Sequence, residues 1–289
     1  MANAIAPPEE VLMGAWNRPR GEVLEGWHVD LELPVVHAAL LNTSQPAWSH
    51  PSATAYIPTL TFPSEMPAQS SLDYPEMKEL FSRNLSWSRA MWKKDPEFFP
   101  MHYPGQRPEF LWIGCSDARV PETTIMGCQP GEIFVHRNVA NTYHPHDDSI
   151  NSVMMIALFN FKVKHIVVTG HTNCVGCNQA LNVSKLPAVP ASTSLQRFLA
   201  PTATLARSLW TEDGPPTLDL LVEENVVQQV KNLLASDIIA EDWRRRGVDG
   251  VTIHGWVYHL EDGTIRDLNI SQGPPGSVPG KKTKNGDFF

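Results

Sequence analysis

The sequence predicts an α/β fold: a mostly parallel central sheet of about four strands, an antiparallel edge strand and flanking helices. Two observations lead to this prediction. Between residues 75 and 268, short apolar runs of strand length alternate with segments of helical periodicity, which is typical of parallel sheets covered by helices. The dipeptide Asp262-Gly263 is a strong hairpin signal, so the last strand should turn back antiparallel.

The individual elements follow from local patterns along the chain. Buried parallel strands appear as short, nearly continuous apolar runs, and the hairpin adds two more strands; we predict strands at 109–114, 132–136, 164–169, 251–260 and 264–268. Apolar residues recurring every three or four positions indicate helices; we predict them near 75–95, 148–161, 218–233 and 236–246, with another beginning just after Cys174.

The two ends of the chain lack this alternation. Residues 1–70 hold nine of the 25 prolines and are predicted to form an N-terminal arm that wraps the domain or a partner subunit, or is partly mobile. The aromatic residues of this arm favour wrapping over disorder. Residues 71–271 would then form the folded domain, and 272–289 a flexible tail.

Composition excludes several functional classes. A net charge of −8 and a pI near 5.7 argue against a nucleic-acid surface. No apolar run approaches the roughly 18 residues of a membrane span. The N-terminus lacks the basic and apolar segments of a secretory signal, so we expect a cytoplasmic protein. In that compartment, four cysteines indicate a metal site rather than a disulfide framework.

Two short motifs carry the chemistry. Cys115 follows the first predicted strand and has Asp117 and Arg119 beside it, and the segment from His171 to Cys174 follows the third strand. In open α/β sheets, ligand sites form at the carboxyl ends of strands, so the two motifs should meet. Two thiolates and one imidazole predict a zinc site with one position left open. The alternative is a buried structural cysteine with a capping histidine.

The remaining cysteines and histidines are weaker candidates. Cys174 and Cys177 form a Cys-x-x-Cys pair, which leaves a redox module open as a distant alternative. We expect Cys177 and Cys128 to pack instead. His144 and His146 indicate a solvated turn, and His254 and His259 should be hydrogen-bonded structural residues.

Four segments resemble the β-class carbonic anhydrases, namely 105–121, 130–141, 163–171 and 254–258, within a likeness that runs from about 74 to 270. The resemblance implies zinc-dependent reversible hydration of CO2 to bicarbonate and a proton. Cys115, His171 and Cys174 would hold the zinc. Asp117, paired with Arg119, would orient a zinc-bound hydroxide, and in the closed state of some members Asp117 is itself the fourth ligand.

The resemblance also implies a substrate pocket and an assembly. Gln106 matches an amide that orients the substrate, and Phe134 and Val139 match apolar residues that line the CO2 pocket. The backbone N–H of Val175 would bind bicarbonate. Members of the family are dimers or higher even-numbered oligomers, with pocket residues from both chains.

Three residues depart from the family pattern. Met155 and Ile156 stand where a Glu-Tyr pair is usual, and Val175 replaces the first glycine of a Gly-Gly pair. The first two changes remove hydrogen-bonding capacity of about 1–3 kcal/mol per buried group. Two hypotheses follow: a carbonic anhydrase slowed by its altered surroundings, or a zinc-binding relative with little hydratase activity that acts in binding, assembly or on another small CO2-like substrate.

Overall fold

A computed structural model describes residues 70–187 and 190–278 of the chain. Nearly all of the predicted arm and most of the predicted tail lie outside these residues. The chain divides into two compact units, 1–101 and 102–289.

The described part of the first unit is helical. Helix α1 (Pro75–Lys94) starts with proline, whose fixed φ suits the first helical position, and α2 (Phe98–His102) follows. The predicted helix near 75–95 is therefore confirmed. No residue of α1 is buried, and its apolar residues Met77 and Leu80 are 39% and 53% exposed. In the single chain, α1 thus presents apolar side chains to solvent.

A five-stranded sheet forms the centre of the second unit. Its strands are β1 (Phe110–Cys115), β2 (Ile133–Asn138), β3 (His165–His171), β4 (Thr252–His259) and β5 (Thr264–Asp267). They lie in the order β2-β1-β3-β4-β5; the first four are parallel, and β5 is antiparallel to β4. The predicted fold class is confirmed, and each strand lies within two residues of its predicted bounds.

Helices connect these strands. They are α3 (Glu122–Ile125), α4 (Asp148–Met155), α5 (Val175–Ser184), α6 (Ser194–Ser208), α7 (Leu218–Leu234) and α8 (Asp237–Arg246). Helix α4 continues as a π-helical stretch over Ile156–Asn160, so the segment predicted as one regular helix changes its geometry midway. None of the helices in the described residues is long and apolar enough to span a bilayer.

The hydrophobic core brings α7 close to the end of β3. Alternate residues of the parallel strands, such as Ile113 and Val168, point toward this core, and Val222 and Val226 of α7 belong to the same cluster. A Cβ at Gly170 would lie 2.8 Å from Val226 Cγ2, which is too short for ordinary packing. Glycine at this position therefore lets α7 lie against the carboxyl end of β3.

Candidate metal centre

The carboxyl ends of β1 and β3 place two motif residues together. Cys115 is the last residue of β1 and His171 the last of β3, and these strands are paired neighbours, with Gly114 opposite Thr169. After β3, Asn173 adopts a left-handed conformation with φ 53°, which asparagine tolerates. This turn brings Cys174 to the N-cap of α5.

Cys115, His171 and Cys174 form one compact, buried cluster. Their ligand atoms all lie within 4.8 Å of one another, and no other group of three or more metal-ligating side chains is found in the described residues. The two Sγ atoms are 3.9 Å apart. The three residues are 5%, 0% and 1% exposed, respectively. The geometry thus brings together the three ligands that the sequence predicts.

The imidazole of His171 indicates that the cluster fits a metal. Its Nδ1 lies 2.9 Å from the carbonyl oxygen of Thr172, which can only accept, so Nδ1 carries the proton. Nε2 then presents a lone pair, yet this buried atom has no hydrogen-bond partner in the described part of the chain. A buried acceptor without a partner is costly, and a zinc ion among two thiolates and this nitrogen would satisfy it.

Without a metal, the two thiols hold their protons strongly. The hydrogen bond that Cys115 shares with Cys174, together with burial, raises the pKa of Cys115 to about 12. The bond with Cys115 favours the thiolate of Cys174, but the bond with Cys177 and burial outweigh it and raise the pKa of Cys174 to about 12. Because thiolates are the metal-binding form, metal uptake at neutral pH must expel these protons.

Asp117 and Arg119 form a bidentate ion pair beside the cluster. Arg119 Nε donates to Asp117 Oδ1 at 3.0 Å, and Nη2 donates to Oδ2 at 2.8 Å. The hydrogen bonds from Arg119 hold the pKa of Asp117 well below its usual range, so the carboxylate stays ionised. Asp117 Oδ2 lies 3.8 Å from His171 Nε2, close to the position that the three ligands surround.

Arg137 fixes the loop that carries this pair, a role that the sequence alone does not assign. It lies opposite Gly114 in the β1–β2 register. Its Nε donates to the carbonyl of Cys115 at 2.7 Å, and its Nη2 donates to the carbonyl of Asp117 at 2.6 Å. Its place next to the last residue of a strand bordering β1 is the signal that could have identified it.

A strained segment after β2 packs beside the start of α5. Ala140 and Asn141 have φ of 59° and 47°, which is uncommon for residues other than glycine. A Cβ at Gly176 would lie 2.8 Å from Val139 Cγ1 and 2.9 Å from Ala140 Cβ, so this segment packs directly against the start of α5. Val175, the first residue of α5, is 64% exposed. Val175 thus directly follows the ligand Cys174, and Val139 packs beside the next residue, Gly176.

The other two predicted pocket residues lie toward the opposite end of the sheet. Gln106 is exposed in the loop before β1. The strand itself runs about 16 Å from Phe110 to Cys115, at 3.3 Å per residue. Phe134 pairs with Leu111, roughly 13 Å before Cys115 on the same scale. Phe134 therefore lies far from the cluster of its own chain, and Gln106 precedes the end of β1 that is opposite the cluster.

Several other residues singled out in the sequence lie outside the ligand cluster. Cys177 is buried as predicted, at 1% exposure, and all four cysteines are free thiols. His254 bonds with His165 and Ser271, in agreement with its predicted role. At the end of α4 and the start of the π-helical stretch, Met155 and Ile156 are 36% and 44% exposed.

The chain is similar to known proteins over this region. A family model described as carbonic anhydrase matches residues 110–265. A carbonic anhydrase of Emericella nidulans is 37% identical over 201 residues, covering 66% of this chain and 83% of that protein. Among solved structures, a tetrameric β-carbonic anhydrase of Sordaria macrospora has a TM-score of 0.60 at 33% identity, covering 69% of this chain and 100% of the other.

A second solved structure supports the same relationship. The β-carbonic anhydrase of Coccomyxa, in complex with acetazolamide, has a TM-score of 0.63 at 28% identity and covers 70% of this chain and 90% of its own. The region that the family model matches includes strands β1 to β4, the start of β5, the three-residue cluster and the Asp117–Arg119 pair. On its sequence, its sheet topology and these similarities, the chain belongs to the β-carbonic anhydrase family.

Proposed function

We propose that this chain is a zinc lyase that hydrates CO2 reversibly to bicarbonate and a proton. The observation that carries the proposal is the buried Cys115–His171–Cys174 cluster, in which the lone pair of His171 Nε2 lacks a partner. The family relationship favours zinc over other metals that accept two thiolates and an imidazole. When bound, zinc supplies Lewis-acid chemistry and generates hydroxide from water near neutral pH.

The Asp117–Arg119 pair would orient the nucleophile. Asp117 is ionised and 3.8 Å from His171 Nε2, so it can accept a hydrogen bond from a hydroxide near the ligands. Arg119 also donates to the carbonyl of Asn173 at 3.3 Å and thereby connects the dyad to the turn before Cys174. In the proposed closed state, Asp117 would leave Arg119 and occupy the fourth metal position itself.

The substrate pocket would be shared between subunits. Val139 and Val175 supply apolar surface near the cluster, which suits uncharged CO2, and the Val175 N–H at the start of α5 would bind bicarbonate. Phe134 lies near the start of β2 and Gln106 precedes β1, whereas the cluster lies at the carboxyl end of the sheet. We therefore propose that they complete the site of a partner subunit.

We propose an even-numbered homo-oligomer, in which the arm at residues 1–70 wraps a partner. The exposed apolar side chains of α1 support an assembly, because such surfaces in a single chain commonly mark contact sites. One structurally similar relative, that of Sordaria macrospora, is a tetramer.

Zinc uptake should release about two protons per chain at pH 7.5, since both ligand thiols are protonated in the metal-free protein and must ionise. The apparent zinc affinity should therefore rise with pH by up to about a hundredfold per unit. Titration calorimetry in buffers with different ionisation enthalpies measures this release. Uptake without proton release would contradict coordination by both thiolates.

Stopped-flow hydration of CO2 by protein titrated with zinc tests the function itself. We expect the rate to grow in proportion to bound zinc, up to one ion per chain. Met155 and Ile156, which stand where the family usually has a Glu-Tyr pair, favour one second candidate, a zinc-binding relative with little hydratase activity. A zinc-loaded protein without measurable hydration would support that candidate and refute ours.

A further inference from the structure

The ring of the proposed zinc ligand His171 is oriented by the residue that follows it. His171 Nδ1 donates to the carbonyl oxygen of Thr172 at 2.9 Å. Such a bond from the non-ligating nitrogen sets both the tautomer and the orientation of a metal-binding histidine. The position of Nε2 therefore depends on how firmly the Thr172 peptide is held.

Thr172 is held by three hydrogen bonds to the β4–β5 hairpin. Its N–H donates to the carbonyl of Tyr258 at 3.0 Å. Its hydroxyl accepts from the N–H of Leu260 at 3.0 Å and donates to Glu261 Oε2 at 2.7 Å. The other oxygen of Glu261 lies 2.9 Å from His259 Nδ1. The carboxylate thus fixes the threonine hydroxyl from a hairpin almost ninety residues along the chain.

The turn formed by Thr172 and Asn173 is also held by Arg119 of the Asp117–Arg119 pair. Arg119 donates to the carbonyl of Asn173, whose left-handed conformation turns the chain toward Cys174. Residues Arg119, Thr172, Asn173 and Glu261 border one open cleft at the surface. Two ligands, His171 and Cys174, are thus separated by a two-residue turn that is hydrogen-bonded from both sides.

We propose that Glu261, acting through the hydroxyl of Thr172, is a positioning residue that holds His171 in its metal-binding orientation and so slows the loss of zinc. Glu261 touches neither substrate nor metal in this arrangement. The inference rests on the proposed function, because it assumes that the cluster binds zinc. Groups hydrogen-bonded directly to a ligand typically change metal affinity by about 10–100-fold, so a residue that acts one bond further out should have an effect near the lower end of that range.

The test is the rate at which zinc passes from the full-length protein to an excess of chelator. Thr172→Val keeps the side-chain shape but removes the hydroxyl, and Glu261→Ala removes the carboxylate; we expect both to release zinc roughly tenfold faster. Thr172→Ser restores the hydroxyl and should retain zinc like the unaltered protein. Glu223→Ala is the matched control, because Glu223 also pairs with a hairpin residue, Arg266, at 2.8 Å.

The outcomes distinguish a failure of the positioning role of Glu261 from a failure of the proposed zinc function. Unchanged release from both Thr172→Val and Glu261→Ala overturns the positioning role and leaves the proposed function standing. Equal acceleration by Thr172→Ser and Thr172→Val also overturns it, because the hydroxyl would then not be responsible. If Glu261→Ala does not fold, Glu261→Gln, which keeps one acceptor oxygen, should give an intermediate rate. An unaltered protein that takes up no zinc overturns both proposals.

Discussion

Replacing His171 by alanine is expected to abolish both zinc retention and CO2 hydration. His171 supplies the one nitrogen of the cluster, and its Nε2 is the buried atom that lacks a partner in the described structure. Partners outside the first coordination sphere already change affinity by about 10–100-fold, so losing a direct ligand should cost at least about a hundredfold. Cys174→Ser should have the same effect, because a neutral hydroxyl replaces a thiolate.

The structure offers a matched control for this prediction. Cys177 lies three residues after Cys174 on α5 and is equally buried, at 1% exposure, but it is not part of the ligand cluster. Cys177→Ser should therefore keep zinc and hydration, as measured by metal analysis and stopped flow. Loss of zinc in Cys177→Ser together with retention in Cys174→Ser would refute the ligand assignment. A reversible Cys174–Cys177 disulfide without metal would favour the redox alternative.

Asp117→Asn should reduce hydration by about 10²–10³-fold while leaving the zinc content unchanged. An amide presents one acceptor oxygen and no charge, so it neither orients a hydroxide as a carboxylate does nor balances Arg119. Arg119→Lys should also lose activity, because a single ammonium cannot replace the two parallel bonds to Asp117 at 3.0 and 2.8 Å. Zinc analysis alongside turnover separates this defect from loss of the metal.

A remote ion pair controls for the general effect of removing a charge. Glu241 on α8 is also bound bidentately by an arginine, Arg244, at 2.7 Å through each oxygen. Glu241→Gln should leave turnover unchanged, because the hydrogen bonds of the Glu241 carboxylate are to Arg244 and Arg245 of its own helix. Full activity of Asp117→Asn would contradict the role given to the dyad. A loss of zinc in that variant would instead assign Asp117 to the coordination sphere.

Local pattern predicts most of the sheet but not every helix. The strands are short apolar runs, and the hairpin has its own turn residues, so their positions follow from nearby sequence. Helix α6 is not predicted, and it contains an internal proline, Pro201, a residue that disfavours helix interiors. Its start does carry a signal, a capping box of Thr193 and Gln196. The π-helical stretch after α4 has no comparable signature in the local sequence.

The ligands of the candidate site can be predicted because each follows a recognisable strand. Parallel strands end at the same edge of a sheet, so Cys115 and His171 had to lie close together once β1 and β3 were neighbours. The hydrogen bonds that support these ligands cannot be predicted in the same way. Arg137 reaches the loop through the register of β1 and β2, and Glu261 reaches Thr172 across the β4–β5 hairpin. Such contacts depend on strand order, which the local sequence does not encode.

The pH dependence of CO2 hydration by zinc-quantified protein tests the central claim most directly. Asp117 stays ionised throughout, because Arg119 holds its pKa well below the usual range, so the dyad itself does not titrate near neutrality. The nucleophile must be generated from water, and the rate per zinc should therefore rise between about pH 6.5 and 8.5. A flat profile over that range, or no hydration by the zinc-loaded chain, would contradict the account.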